Sequence, residues 1–190
     1  YFVERKTGSG GAFALVHTTG ADATTWSDAV TRGAIYYYRL RAFITGIDTS
    51  GYSAEDSALV PLNTPTTLNA STSGSTTIGL TWSSSVDLRD GFRLERATST
   101  GGSFSEIATP AAGATSYSNT GLSSGTWYYF RIRSYNASMQ SAYSNIDSAL
   151  TAFGKPQGIA ANPSNVTNGP IRISWTAPSG AANVWYNVDT

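Results

Sequence analysis

Tyr128-Tyr129-Phe130-Arg131-Ile132-Arg133 decides how this chain folds, because Tyr36-Tyr37-Tyr38-Arg39-Leu40-Arg41 says nearly the same thing 92 residues earlier. In both stretches large apolar rings and aliphatics alternate with Tyr and Arg at a period of two, which is the signature of a strand with one face in a core. Outward from these anchors, Val3-Glu4-Arg5 recurs as Leu94-Glu95-Arg96, Phe13 as Phe104, Trp26 as Tyr117 and Gly51-Tyr52-Ser53 as Ala142-Tyr143-Ser144. Each recurrence lies about 91 residues on, a period that corresponds to one domain. Residues common to two copies answer a need of both, and the commonest such need is folding.

Alternation continues wherever a pattern exists. Ile78, Leu80 and Trp82 alternate with Gly79 and Thr81, and Phe92 and Leu94 with Arg93 and Glu95. Turn formers sit between these runs, at Ser73-Gly74, Asp90-Gly91, Gly101-Gly102 and Ser124-Gly125, at spacings too short for a long helix. The complete middle copy reads as strands near 66 to 71, 76 to 82, 91 to 97, 103 to 109, 115 to 119, 126 to 136 and 140 to 151. Seven antiparallel strands predict an all-β, immunoglobulin-like sandwich. Boundaries fall at Pro61-Leu62-Asn63-Thr64-Pro65 and Phe153-Gly154-Lys155-Pro156, dividing the chain into 1–62, 63–153 and 154–190. On this reading the first unit begins at its third strand, the second is complete, and the third holds only early strands. The joints leave few residues for swivelling, so a semi-rigid string of units is expected.

These residues resemble the fibronectin type III domain. The resemblance runs through Pro65, Leu68-Asn69-Ala70, Trp82 closing the second strand, Phe92-Arg93-Leu94-Glu95-Arg96, and Leu122 six residues ahead of Tyr128, the spacing of that family's tyrosine corner. Tyr143-Ser144 opens the last strand. The first copy repeats the later half, with Val30 six ahead of Tyr36, and the third repeats the earlier half with Pro156, Ile159-Ala160-Ala161, Trp175 and Tyr186-Asn187-Val188. Membership would imply tandem sandwiches whose core holds Trp82, Trp175, Tyr36, Tyr128, Leu122 and Leu94. It would also imply a place among adhesins, phage tail proteins or secreted polysaccharide-degrading enzymes, and so a bacterial or phage source.

Composition narrows the function. With 12 basic and 12 acidic residues the formal charge is zero, so no long-range field draws nucleic acid or an anionic membrane. Charged residues are 13% of the chain, about half the usual share, while aromatics reach 12% at regular intervals and supply the burial a disordered chain lacks. The chain has no Cys, so it forms no disulfide, Cys-zinc site or thiol nucleophile. Together with abundant Ser and Thr this predicts an extracellular or cell-surface location, or a phage virion. No apolar run approaches the ~20 residues that cross a bilayer.

Catalytic chemistry finds no foothold. His17 is the only histidine, its counterpart is Ala108, and no Ser, Cys or carboxylate pattern surrounds it. Asp48, Asp87 and Asp90 stand in turns, where Asp bonds local backbone, and no calcium-loop motif appears. Neither a cofactor nor a metal is expected. Arg89-Asp90-Gly91 scrambles the integrin-binding tripeptide, so that activity does not carry over. Asn69-Ala70-Ser71, Asn136-Ala137-Ser138 and Asn165-Val166-Thr167 fit glycosylation acceptors.

Surface contact candidates lie on the outward face of the sixth strand: Trp127, Tyr129 and Arg131, with Tyr37 and Arg39 in the first copy. An aromatic and arginine ladder of that kind suits sugar. The plainer reading pairs Arg131 or Arg133 with Glu95 across the sheet, as Arg39 or Arg41 with Glu4. Trp127 is the exception, because Ile35 stands in its place in copy one. The expected role is a non-catalytic spacer and interaction surface in a longer surface, adhesin or tail protein. Its partners would be neighbouring units, other subunits or cell-surface glycans. Two alternatives stand beside it: a filament or surface-layer subunit built by strand complementation between incomplete ends, and the accessory region of a polysaccharide-degrading enzyme.

Overall fold

The computed structural model describes residues 1–163 and 171–177. Every regular element among them is a β-strand, and every pairing is antiparallel. An N-terminal sheet is built from β1 (Phe2–Thr7), β2 (Ala14–Thr18), β3 (Ala34–Arg41) and, beyond the short hairpin of β4 (Phe43–Ile44) and β5 (Asp48–Thr49), β6 (Asp56–Val60). Its order is β2-β1-β3-β6.

The central sandwich follows. It comprises β7 (Thr66–Thr72), β8 (Ile78–Ser83), β9 (Gly91–Ala97), β10 (Ser105–Ala108), β11 (Ser116–Asn119), β12 (Trp127–Tyr135) and β13 (Asp147–Leu150). A three-stranded sheet, β11-β8-β7, packs on a four-stranded one, β10-β9-β12-β13. Alternation explains the core: Ile78, Leu80 and Trp82 of β8 meet Phe92 and Leu94 of β9 and Tyr128, Phe130 and Ile132 of β12, while the residues between them turn outward. Leu68 and Leu122 close the cluster at its margins. Both sheets give up most of their inner apolar area to one another, so the central sandwich holds the largest share of the stability.

The seven expected strands of the middle copy are present, with one difference. The last is regular only from Asp147, although pairing was expected from 140. Residues 140–146 do run beside β12, but serine hydroxyls take the place of carbonyls: Ser141 Oγ accepts from Ser134 N–H at 3.0 Å and Ser144 Oγ from Ile132 N–H at 3.1 Å. The same device recurs in the N-terminal sheet, where Ser53 Oγ accepts from Leu40 N–H and Ser50 Oγ from Ala42 N–H. A side chain that replaces a ladder carbonyl satisfies the amide while letting the strand drift from ideal register.

A second irregularity is shared by two hairpins. β14 (Gln157–Pro163) and β15 (Ile171–Thr176) repeat β7 and β8, and each pair slips register near its start, between Thr66 and Asn69 and between Gln157 and Ala160. The bulged residue is Gly158 in one, at φ 61°, and Thr67 in the other, at φ 51°. A β-branched residue in the left-handed region is strained by about 1–2 kcal/mol. Glycine gives back about 0.5–1 kcal/mol of that in chain entropy. Thr67→Gly is therefore expected to stabilise the chain by about 0.5–1 kcal/mol, read as a higher urea midpoint at unchanged slope.

Trp175 corrects the sequence reading. It was expected in a sandwich core, whereas it is 39% exposed, and among the described residues β14 and β15 pair only with each other. Tyr186-Asn187-Val188 and Asn165-Val166-Thr167 fall outside the described residues.

Candidate functional site

The densest chemistry lies on the outer face of the four-stranded sheets, and it occurs twice. In the central sandwich, β9 and β12 set Glu95 opposite Arg131. Arg131 donates from Nε and Nη2 to Glu95 Oε2 at 2.8 and 2.7 Å, and Arg133 Nη2 approaches Oε1 at 3.6 Å. Tyr143 Oη donates to Oε1 at 2.6 Å, while its ring and that of Phe104 hold the Arg131 guanidinium between them at 3.8 and 4.3 Å from their centroids. The N-terminal sheet repeats every part. Arg39 donates to Glu4 Oε2 at 2.9 and 2.7 Å, Tyr52 Oη donates to Oε1 at 2.9 Å, and Tyr52 and Phe13 flank Arg39 at 3.7 and 4.1 Å.

Of the two sequence readings, the ion pairing is the one present, and in both copies. Two arginines share one carboxylate, and aromatic faces shield the pair from water. In Glu4 the bond from Arg39 leads in holding the carboxyl below its ordinary value, against the opposing push of burial. For Glu95 burial is the largest influence and acts upward, but the Tyr143 hydroxyl with Arg131 and Arg133 outweighs it, and the net shift is again downward. Burial, then the bond to Glu95, raises Tyr143. Such a cluster can tie strands together, but it has no group poised to give or take a proton near neutral pH.

The aromatic corner residues serve the fold. Tyr36 Oη donates to Thr31 O at 2.7 Å, as expected of a hydroxyl reaching upstream backbone. Tyr128 differs in direction: its hydroxyl accepts from Ser123 N–H at 3.1 Å. Tyr36, Tyr128, Trp82, Leu122 and Leu94 are all buried. Among the surface candidates, Trp127 is half exposed, whereas Tyr129, Arg131, Tyr37 and Arg39 are only partly exposed. Trp127, Tyr129 and Arg131 stand at alternate positions of β12, so their side chains lie on the same outward side of the pleat. The outward ladder therefore consists of Trp127, Tyr129, Arg131 and Arg133, with Trp127 the most exposed of them at the strand's start.

His17 stacks on Trp26 at 4.6 Å between centroids. Among the described residues no three His, Cys, Asp or Glu side chains gather as metal ligands. Asp48 bonds its neighbour's amide, Thr49 N–H, as a turn Asp should. Asp87 does not: its Oδ2 accepts from Asn63 N–H across 24 residues at 2.6 Å, and its Oδ1 pairs with Arg89 at 2.7 Å.

Asp87 belongs to a joint that sequence reasoning missed. Leu88 N–H donates to Arg32 O, and Asn136 Nδ2 donates to both Gly33 O and Leu88 O at 2.9 Å, linking the N-terminal sheet to the central sandwich. Gly33 sits at φ 99°, where a Cβ would lie 2.7 Å from Leu62 Cδ2, so only glycine permits the approach. Asn136 had been read as a glycosylation acceptor, yet its amide is spent inside the joint. The only signals in the sequence were a Gly after Thr31-Arg32 and the Asp-x-Arg spacing, neither of which names its distant partner.

Comparison with known proteins places this geometry. Residues 63–147 match the fibronectin type III domain. A two-domain fibronectin type III segment of chicken tenascin superposes with a TM-score of 0.66 at 17% identity, covering 78% of this chain and 82% of that one. An Fn3-like protein from Clostridium thermocellum is 29% identical over 44% of this chain and 86% of its own, with a TM-score of 0.40. No curated protein matches the sequence. The seven-strand sandwich at the centre of this chain is thus similar to the fibronectin type III domain by sequence, and the chain has that domain's fold.

Proposed function

We propose that this chain is a non-catalytic length of a multi-domain extracellular protein in which tandem fibronectin type III units set spacing and present a surface to partners. One observation carries the reading: the ionisable side chains of the outer sheets are committed to the same Glu-Arg-Arg-Tyr-Phe cluster in both copies. Chemistry confined to one site would not need duplicating, whereas support of a sheet does. The joint at Gly33, Leu62 and Asn136 favours a spacer that keeps its units in fixed relation. A Cys-free, Ser- and Thr-rich surface suits an adhesin, a surface protein or a tail protein of bacterial or phage origin.

Trp127 is the contact residue of this reading, since it is the large ring exposed at the rim of β12 and the other copy has no ring there. Indole faces stack on sugar rings as they do on other flat apolar surfaces. Titration with chitin, cellulose and peptidoglycan fragments should quench tryptophan fluorescence saturably, and Trp127→Ala should abolish the response. Silence at millimolar ligand would remove glycans from the proposal and leave protein neighbours as the partners.

A further inference from the structure

The central sandwich meets the N-terminal sheet through two polar residues that the fold itself does not require. Counting on from the matching arginines Arg133 and Arg41, Ser134 and Asn136 correspond to Ala42 and Ile44 in the first copy. A residue that only one copy carries answers a need of that copy alone. Ser134 is fully buried, and its Oγ donates to Asn63 O at 2.9 Å. Asn136 commits both ends of its amide. Its Oδ1 accepts from Ser138 and Met139 N–H at 3.0 Å, which fixes the side chain, and its Nδ2 donates to Gly33 O and Leu88 O at 2.9 Å.

From this joint the contacts run inward to the core. Leu62, 3% exposed, lies against Gly33. Its neighbour Asn63 donates from N–H to Asp87 Oδ2 at 2.6 Å and from Nδ2 to Val86 O at 3.1 Å. The side chains of Asp87 and Arg89 are 0% and 5% exposed, and the Arg89 guanidinium lies 4.9 Å from the ring centre of Phe92, a core residue of β9. Leu88 N–H, between them, donates to Arg32 O at 2.9 Å, just ahead of β3. The loop that carries Asp87, Leu88 and Arg89 is thus held from two sides, by the carbonyls that lead into β3 and by the linker that leads into β7.

We propose that Asn136 is a latch that makes one cooperative unit of the N-terminal sheet and the central sandwich, so that neither opens without cost to the other. This rests on the spacer reading above and deepens it by giving the spacer's rigidity a carrier. When β3 opens, Arg32 O and Gly33 O withdraw, and Leu88 N–H and one Asn136 N–H lose their acceptors at a partly buried position. The loop then loses its support on one side, and the buried Asp87–Arg89 pair that stands on Phe92 loosens with it. Opening of the sandwich acts on β3 in the same measure, because a coupling between two sites is reciprocal. Adjacent units linked in this way share stability through their interface.

Hydrogen exchange on the whole chain, read on peptides from β3 and β12 across a urea series, tests the latch. In the parent both segments should lose protection at one midpoint. Asn136→Asp keeps the oxygen that accepts from Ser138 and Met139 but removes both donated bonds. In that variant β3 should open at lower urea than β12 and exchange about tenfold faster without urea. Ser134→Ala, the milder change, carries over the first copy's alanine and should part the midpoints in the same sense. Ala137→Ser, at an exposed position, is the control and should leave them together. Separate midpoints in the parent, or a single midpoint kept in both Asn136→Asp and Ser134→Ala, would overturn the proposal. Trp127 lies at the far end of β12 from this joint, so its glycan titration stands or falls separately.

Discussion

Trp82→Ala should lower the unfolding free energy by about 3–5 kcal/mol, enough to leave a domain of ordinary stability largely unfolded near body temperature. Trp82 is 4% exposed and meets Phe92 edge-on at 5.5 Å between centroids, at the point where β8 crosses β9. Alanine would leave a void in a cluster whose other members are fixed on two sheets and cannot collapse into it. A companion substitution separates packing from hydrogen bonding. Trp82 Nε1 is buried with no hydrogen-bond partner, so Trp82→Phe removes a polar atom that contributes nothing and should cost much less, about 1.5 kcal/mol or below. Urea denaturation of both variants checks this. Equal losses would mean that the indole N–H, and not the ring's volume, holds the site.

Glu95→Ala is the second large effect, at about 2–3 kcal/mol. It deletes the acceptor of Arg131 and Tyr143 and leaves two guanidinium groups side by side on β12. Both arginines keep roughly a quarter of their side-chain surface in solvent and can rehydrate, so the loss stays below that of a fully buried pair. Acidity probes the same cluster. Glu4 and Glu95 both titrate below their ordinary value of 4.5 when folded, so the folded chain binds fewer protons than the unfolded one in that range. Their stabilisation is complete above about pH 4.5 and is lost as pH falls through the folded values. Denaturation midpoints should decline below pH 4.5, and Glu95→Gln should show a shallower decline than the parent. An identical slope would remove Glu95 as a contributor.

Much of this was written locally. Alternation in Ile78-Gly79-Leu80-Thr81-Trp82 and Tyr128 to Arg133 defined strands and the sides they bury, because a period of two needs no knowledge of the partner strand. Pairing of Glu95 with Arg131 could be read because the repeat showed Glu4 with Arg39, and residues that recur together usually meet. The reach of Asn136 to Gly33, over 103 residues, had no such precedent. A polar side chain in a loop looks alike whether it faces water or a neighbouring unit, and only the folded geometry tells them apart. Trp175 is a related case: its strand pattern was right, but burial also needs a second sheet, and a strand's own sequence does not name that sheet.

By itself the sequence determined the local matters: strand positions, inward and outward faces, the repeat near 91 residues, and the absence of thiol chemistry, all of which follow from side-chain type and spacing along a backbone of known geometry. Tertiary structure alone decided which serines stand in for carbonyls and how Gly33 and Asn136 lock one sheet against the next sandwich. Those outcomes depend on contacts between segments far apart in the chain, where closeness is set by how all the strands pack and not by any residue's neighbours in sequence.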